Sequence, residues 1–232
     1  MRRAVLVAAL LAPAATGPAT AAPPEIRQMV VFPSGAAVTK EIRALEATVR
    51  VGRRRCAVAA GTALAALTRS RVARLRLRDF GSCSHRPRDG GGLFVSAIGS
   101  ERNRGQDGWV YKVGRRAATA GAADPGGPFG NGRLRPGRRV TWFYCRLRGG
   151  GCQRSLELKP RVEPGALVAT VRGYDDEGRG IPVAGARVAA GGMSALTGPD
   201  GVARLALAPG RYRAVATRDG LVRSFAERVE VP

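Results

Sequence analysis

The chain consists mainly of short segments in which apolar and polar residues alternate, separated by turns rich in glycine and proline. Residues 72–78 are the strictest case, with arginine at every second position from Arg74. A period of two is typical of a β-strand with one solvated face, whereas an amphipathic helix needs a period near 3.6. Only residues 63–67 fit a helix, because Thr62 is a good N-cap and two leucines lie three residues apart. The sequence therefore predicts a mainly β (α+β) protein with one short helix.

Other strand candidates are spread along the whole chain. In the N-terminal part they are residues 93–98, 109–113, 139–145 and 155–158. In the C-terminal part they are residues 168–173, 186–190, 203–208, 212–217 and 225–231. The turn dipeptides Asp200-Gly201, Pro209-Gly210 and Asp219-Gly220 separate the C-terminal candidates. Short strands at this close spacing are typical of a small β-sandwich.

The first 22 residues have the pattern of an export signal. Arg2 and Arg3 give a positive start, residues 4–12 are apolar, and Ala19-Thr20-Ala21 supplies small residues at the cleavage spacing. The apolar run is much shorter than the roughly 20 residues that cross a bilayer. We therefore expect a mature chain that is secreted, soluble outside the cytoplasm and without a transmembrane segment.

Four cysteines fit an exported protein. An even number of cysteines in an exported chain favours two disulfides, and neighbour pairing gives Cys56–Cys83 and Cys145–Cys152. The second pair brackets a glycine-rich segment that would form a hairpin. The competing interpretation is a four-thiolate zinc site, which usually has two Cys-x-x-Cys hooks. The chain has no such hook, so the sequence favours disulfides and predicts no metal site.

Charge divides the mature chain into two parts. Of the net charge of +22, +18 lies in residues 23–163, whereas residues 164–232 carry +2. The shift occurs at a segment that contains Pro160 and Pro164. We therefore predict a basic domain over residues 23–163 and a second domain over residues 164–232.

The basic domain resembles a known family along residues 37–158. Its helix is followed by Gly108-Trp109-Val110-Tyr111-Lys112-Val113, and then by residues 134–144, which include Pro136-Gly137 and Val140-Thr141-Trp142. This order resembles the β-grasp domain at the C-terminus of transcobalamin and intrinsic factor, which also occurs in bacterial surface proteins. Two polar positions depart from the pattern, since Gly114-Arg115 replaces an Asn-Gly turn and Arg138 replaces an aspartate. The resemblance implies a β-grasp fold for this disulfide-containing domain and makes a small-molecule ligand conceivable, but it assigns no ligand contact.

The second domain resembles another family more closely. Gly185-Ala186-Arg187-Val188 is followed by Thr197-Gly198-Pro199-Asp200-Gly201 and by Leu207-Ala208-Pro209-Gly210-Arg211-Tyr212. These motifs resemble the carboxypeptidase regulatory-like, transthyretin-related β-sandwich. That resemblance implies an accessory module of secreted proteins with no catalytic residues of its own.

Arginine, which outnumbers lysine 36 to 3, suggests a first candidate site. Alternation places arginines together on strand faces while the intervening leucines point into a core. Guanidinium groups suit bidentate contact with phosphate and carboxylate, so an anionic envelope or extracellular polymer is the predicted partner. A solvated basic face without a specific ligand is the alternative. The candidate residues are Arg74, Arg76, Arg78, Arg133, Arg135, Arg146 and Arg148.

Two aromatic pairs suggest a second candidate site. Trp109 and Tyr111 share one strand face, as do Trp142 and Tyr144. Together they could form a platform for a corrinoid-like small molecule. The alternative is an aromatic core between sheet and helix, which is the usual role of strand aromatics.

The chain lacks the residues that several functional classes need. A single histidine gives no histidine-based catalytic pair. No Gly-x-Ser-x-Gly elbow and no Walker motif occurs. Aromatic residues are only 5% of the chain and no helix carries a recognition pattern, so we expect no specific nucleic-acid binding. The sequence thus predicts a non-enzymatic binding or adhesion protein without a cofactor, and leaves open a hydrolase built on an acid pair.

Overall fold

The computed structural model describes residues 22–232, so the predicted signal peptide lies almost wholly outside the described residues. Eighteen strands, one α-helix and one 3-10 helix make up the described part. The fold is mainly β, with a mixed sheet and its helix in the N-terminal part and a sandwich of two sheets in the C-terminal part. No helix among residues 22–232 is both long and apolar enough to cross a membrane.

The N-terminal part contains ten strands, one α-helix and the 3-10 helix Pro87–Gly92. The first four strands precede helix α1 (Ala63–Ser70), and the other six follow it. The strands are β1 (Glu25–Val31), β2 (Ala37–Arg43), β3 (Ala47–Val51), β4 (Arg54–Val58), β5 (Leu75–Asp79), β6 (Leu93–Ile98), β7 (Glu101–Arg102), β8 (Gly108–Val113), β9 (Arg116–Ala117) and β10 (Arg139–Cys145).

The main sheet has the strand order β2-β1-β10-β8-β9. β1 and β10 lie parallel at its centre, and each has an antiparallel neighbour on its outer side. β1 and β2 form a hairpin, whereas residues 114–138 separate β8 from β10. Because a parallel pair needs a long crossover, the helix and the smaller sheets lie between β1 and β10 in the chain.

Helix α1 covers one face of the main sheet. Its N-cap is Thr62, as the sequence predicts, since the Thr62 hydroxyl accepts the Ala65 N–H at 3.2 Å. The helix ends at Arg71, which adopts a left-handed conformation with φ 48°. Leu64 and Leu67 are buried in one cluster with the inward-facing residues of β1, β8 and β10. The predicted helix is confirmed, and it is slightly longer than expected.

Two small sheets complete the N-terminal part. β3 and β4 form a hairpin, and β5, β6 and β7 form a three-stranded antiparallel sheet. Cys56 of β4 is joined to Cys83, which follows β5. Cys145 at the end of β10 is joined to Cys152. Both predicted disulfides are therefore present, and they are typical of an oxidising compartment.

The C-terminal part is a sandwich of two four-stranded sheets. One sheet contains β11 (Ser155–Glu163), β12 (Ala166–Tyr174), β13 (Gly180–Pro182) and β16 (Val202–Ala206). The other has the order β15-β14-β17-β18, formed by Met193–Leu196, Arg187–Ala190, Gly210–Thr217 and Glu227–Val231. One hydrophobic cluster takes residues from both sheets, as expected for a sandwich core.

The expected domain boundary falls inside this sandwich. β11 and β12 pair along their full length, from Ser155–Tyr174 to Glu163–Ala166. Pro164 and Gly165 are therefore the turn of a hairpin and not a linker. Charge could not place β11, because this strand carries two acids and two bases. Its Leu156 and Leu158 nevertheless belong to the sandwich core.

The sandwich packs on the face of the main sheet that α1 leaves uncovered. Met29 and Phe143 of the sheet form a buried cluster with Val222 and Phe225 of the sandwich. The side chain of Lys112 in β8 is fully buried and donates to the carbonyl oxygens of Tyr174 and Asp175. The main sheet is thus covered on both faces, and the two parts share a polar and an apolar interface.

Candidate functional site

The seven predicted arginines are all exposed but lie in three separate segments of the chain. Arg76 and Arg78 lie in β5, immediately after Arg74, and point away from the core. Arg133 and Arg135 lie in the loop before β10, and Arg146 and Arg148 follow the end of β10 at Cys145. The structure does not bring the three groups together in one sheet. The arginines expected on strand faces therefore do not share one basic surface of a sheet.

Local contacts explain why Arg133 and Arg135 do not lie in a strand. Leu134 between them is buried, and its N–H donates to the carbonyl oxygen of Gly61 at 2.8 Å. The turn at Gly137, with φ +73°, follows before β10 begins. The alternation of Arg133, Leu134 and Arg135 thus results from one anchored leucine in a loop and not from a strand.

Arg146 and Arg148 also lie outside a regular strand. They belong to the loop that the Cys145–Cys152 disulfide closes, where Arg148 pairs only with Gly151. Gly149 and Gly150 both have positive φ and form the tip of a tight hairpin. The predicted hairpin between these cysteines is confirmed, although its arginines do not extend β10.

The structure instead gathers a partly different set of arginines around one cleft of about 640 Å³. We call it the arginine cleft. Arg133 and Arg135 line it, as do three arginines that the sequence analysis did not select. The acidic residues Glu157 and Glu177 of the sandwich also lie on its wall. The five basic residues are Arg115, Arg116, Arg133, Arg135 and Arg138.

Arg115 is held by the sandwich. Its Nε and Nη2 donate to the two carboxylate oxygens of Glu157 at 2.7 and 2.6 Å. The guanidinium also lies 4.5 Å from the ring centroid of Tyr174. The hydrogen bonds from Arg115 hold the pKa of Glu157 below its ordinary value, although partial burial opposes this. The Glu157 carboxylate therefore already neutralises the charge of Arg115.

The other four arginines have no such partner. Arg116, Arg133, Arg135 and Arg138 are exposed, and within residues 22–232 none of them forms a salt bridge. Glu177, the second acid of the cleft, pairs with Arg179 at 2.8 Å. Both acids are thus neutralised, and the cleft presents four uncompensated positive charges.

Neighbouring residues restrict two of these side chains. The guanidinium of Arg116 lies 5.1 Å from the ring centroid of Phe129. The same side chain packs so closely on Gly178 that a Cβ there would lie 2.7 Å from the Arg116 Cγ. Arg133 lies along Gly61, where a Cβ would come within 3.0 Å of the Arg133 Cβ. Packing on two glycines thus limits how far these arginines can move.

The four aromatic residues of the alternative site lie on one face of the main sheet. Tyr111 is opposite Trp142 and Trp109 is opposite Tyr144 in the β8–β10 register. The Tyr111 and Trp142 rings stack at 5.0 Å, and Trp109 and Tyr144 meet edge to face at 5.9 Å. Trp109, Tyr111 and Trp142 are buried in the main core. Most of their surface therefore serves packing.

A cavity of about 320 Å³ nevertheless opens beside three of them. We call it the aromatic pocket. Trp109, Tyr111 and Trp142 form one side, Phe80 and Phe94 lie at its mouth, and small residues between Ala117 and Ala122 form another side. Phe80 is 72% exposed and Phe94 is 44% exposed, and their rings meet edge to face at 6.2 Å.

Neither phenylalanine was predicted from the sequence as a site residue. The signal for Phe80 was present, because the alternation of Arg76 and Arg78 continues to position 80 and places it on the solvated side. Phe94 lies opposite Arg78 in the β5–β6 register, on the same exposed face. Only the pairing of these strands places the two rings side by side.

The acidic turn after β12 is fully occupied by basic partners. Asp175 contacts Arg179 at 3.1 Å, and Asp176 lies 3.2 Å from Lys112 Nζ. Asp176 also accepts the Cys152 N–H at 2.9 Å. Among residues 22–232, no cluster of three or more His, Cys, Asp or Glu side chains could hold a metal ion. The turn therefore serves as a joint between the two parts of the molecule.

Comparisons with known proteins found no relative. No family model matches the chain, and neither the curated proteins nor the solved structures contain a match. The two family resemblances therefore stay predictions, and the site geometry alone supports the functional argument below.

Proposed function

We propose that this protein is a secreted, non-enzymatic binding protein that holds an anionic polymer in the arginine cleft. The observation that carries the proposal is the group of four exposed arginines without a carboxylate partner around one cavity. Guanidinium groups bind phosphate and carboxylate through paired, charge-assisted hydrogen bonds. A polymer with regularly spaced anions could engage several of them at once, which raises avidity.

The sandwich has a direct part in this proposal. Its Glu157 fixes Arg115, and its Gly178 supports Arg116, so it forms one wall of the cleft. We therefore assign the sandwich the role of a second contact for the polymer and not only that of a spacer. The resemblance to accessory modules of secreted proteins agrees with that role.

The test compares two triple variants of equal charge in the mature protein. The cleft variant changes Arg133, Arg135 and Arg138 to glutamine. The strand variant changes Arg74, Arg76 and Arg78 to glutamine. All six side chains are exposed, so both variants should fold, and both lose three positive charges. Binding to polyphosphate and to alginate is measured across a salt series, together with retention on the envelope fraction of the source organism.

The outcomes separate a site from a general charge effect. We expect the cleft variant to lose at least about tenfold in affinity and the strand variant to lose far less, with binding in both weakened by salt. Equal losses in the two variants would show that the basic charge acts nonspecifically. Unchanged binding in the cleft variant would reject the proposal.

A further inference from the structure

The aromatic pocket differs from the rest of this basic protein because no charged residue belongs to its wall. Its described lining consists of aromatic and aliphatic side chains, small residues and Cys152. Small-molecule sites are usually concave and lined mainly by apolar and aromatic side chains. A cavity of about 320 Å³ beside stacked aromatic rings is therefore a candidate for a ligand. We infer that the aromatic pocket binds an uncharged small molecule with a flat ring system, independently of the arginine cleft.

The wall opposite the tryptophans is fixed in place. The Tyr111 hydroxyl donates to the carbonyl oxygen of Ala120 at 3.1 Å. A Cβ on Gly121 would lie 2.8 Å from the carbonyl oxygen of Gly91, so the two backbone segments touch there. These contacts tie the segment of small residues to β8 and to the 3-10 helix. The pocket is thus formed before a ligand enters, which lowers the entropic cost of binding.

The polar groups of the buried aromatics restrict the ligand further. Trp109 Nε1 donates to the Glu101 carbonyl oxygen at 2.9 Å, and the Tyr111 hydroxyl is engaged as described. Trp142 is 1% exposed, and within the described chain its Nε1 has no hydrogen-bond acceptor. Since these polar groups are either engaged or buried, the pocket offers a ligand mainly apolar and aromatic surface, which suits an uncharged ring system.

The mouth and the volume give the size of the ligand. Phe80 and Phe94 expose large apolar surfaces at the entrance, where a ring could stack before entering. A cavity of about 320 Å³ is at the lower end of the usual range for small-molecule sites, about 300–1,000 Å³. The pocket therefore suits a molecule of two or three fused rings and not a corrinoid macrocycle.

The binding experiment uses 1-aminoanthracene, a neutral fluorescent probe with fused rings. The chain has only two tryptophans, Trp109 and Trp142, and both line the pocket. All tryptophan emission therefore comes from the proposed site. We expect saturable binding of one equivalent, with quenching of the tryptophan emission that high salt does not reverse. Absence of saturable quenching would overturn the inference.

Variants locate the probe in the pocket. Ala120→Phe places a ring in the cavity, and we expect it to weaken probe binding at least tenfold. Ala195→Phe, at a similarly half-buried alanine of the sandwich, is the matched control and should bind normally. Probe binding that survives Ala120→Phe in a folded protein would contradict the inference.

A second pair of variants avoids any change to the core. Phe94→Ala removes an exposed ring at the mouth, and Leu196→Ala removes an exposed side chain of the sandwich. We expect only the first to weaken probe binding, and equal binding by the two would count against the pocket. The cleft variant should bind the probe normally, so that failure here and failure of the polymer proposal remain distinguishable.

Discussion

Lys112 Nζ lies 3.2 Å from Asp176 Oδ1 across the junction between the main sheet and the sandwich, and the Lys112 side chain is fully buried. The ammonium group also donates to the carbonyl oxygens of Tyr174 and Asp175 at 3.0 and 2.9 Å. Burial lowers the pKa of Lys112, whereas the Asp176 carboxylate opposes that change. One residue of the main sheet thus donates hydrogen bonds to the acidic turn of the sandwich.

Replacing Lys112 by methionine should destabilise the protein strongly. The substitution keeps most of the length of the side chain but leaves two carbonyl oxygens without their donor and the Asp176 carboxylate without its buried cation. Breaking a buried ion pair on one side costs about 3–5 kcal/mol. Urea unfolding at neutral pH measures the loss. Lys159→Met, at a lysine whose side chain is 63% exposed, is the control and should change stability by less than about 0.5 kcal/mol.

Acid should weaken the contact between Arg115 and Glu157. The pKa of Glu157 in the folded chain lies below its ordinary value of 4.5, chiefly because Arg115 donates to it. The unfolded chain therefore binds the proton more readily, so this contribution to stability is present above pH 4.5 and is lost as the pH falls through the folded pKa. Thermal unfolding from pH 7 to pH 3 should show a smaller acid-induced decrease in Glu157→Gln than in the unchanged protein. An identical decrease would contradict the assignment.

The same substitution should strengthen the proposed polymer binding. Glu157 competes with any added anion for Arg115, because its two oxygens occupy the guanidinium. With glutamine there, Arg115 becomes a fifth free cation of the cleft. We expect a severalfold gain in affinity for polyphosphate at low salt, measured by titration calorimetry. Glu230→Gln, an exposed acid of the sandwich paired with Arg211, adds the same charge elsewhere and should have little effect.

The two disulfides should differ in their contribution to stability. Cys56–Cys83 spans 27 residues and Cys145–Cys152 spans 7. In the chain-entropy model the longer loop is worth about 3.6 kcal/mol and the shorter about 2.4 kcal/mol. Paired replacement by alanine, followed by denaturant unfolding, should therefore cost about 1 kcal/mol more at the longer loop. A larger loss at the shorter loop would show that its local packing outweighs chain entropy.

Removal of the helix cap should have a modest and specific effect. The Thr62 hydroxyl accepts the Ala65 N–H and donates to the Ala59 carbonyl oxygen at 2.8 Å. Thr62→Ala should lower the free energy of unfolding by about 1 kcal/mol. Thr62→Ser keeps the hydroxyl and should restore most of the loss. Equal losses in both variants would mean that the methyl group, and not the hydrogen bonds, matters at this position.

The local pattern of apolar, polar and turn residues in the sequence predicted much of the secondary structure. Residues 93–98 and 139–145 form strands with the expected bounds, because both segments are β-rich and are bounded by turn residues. The helix at 63–67 was predicted from its cap and leucine spacing, and only its final turn was missed. β2 was missed because it is a polar strand with exposed residues along most of its length. Edge strands of this kind carry little hydrophobic signal.

The candidate sites were predicted less well than the strands. Alternation correctly indicated that Arg133 and Arg135 would be exposed, but not that they lie in a loop beside Arg116 and Arg138. Those residues meet only because the loop before β10 and the β8–β9 hairpin face the same turn of the sandwich. Similarly, the spacing of Trp109 and Tyr111 predicted a shared face, but the cavity beside them depends on distant segments.

The sequence by itself determined the β-rich local structure, the helix cap and the sign of the surface charge. Each of these depends on interactions between near neighbours in the chain or on composition. The tertiary structure alone decided which arginines share a cleft, where a cavity remains beside the tryptophans, and that Lys112 is buried against the sandwich. Those features depend on strand register and on the packing of one domain against the other. Such long-range contacts leave no periodic trace in a single sequence.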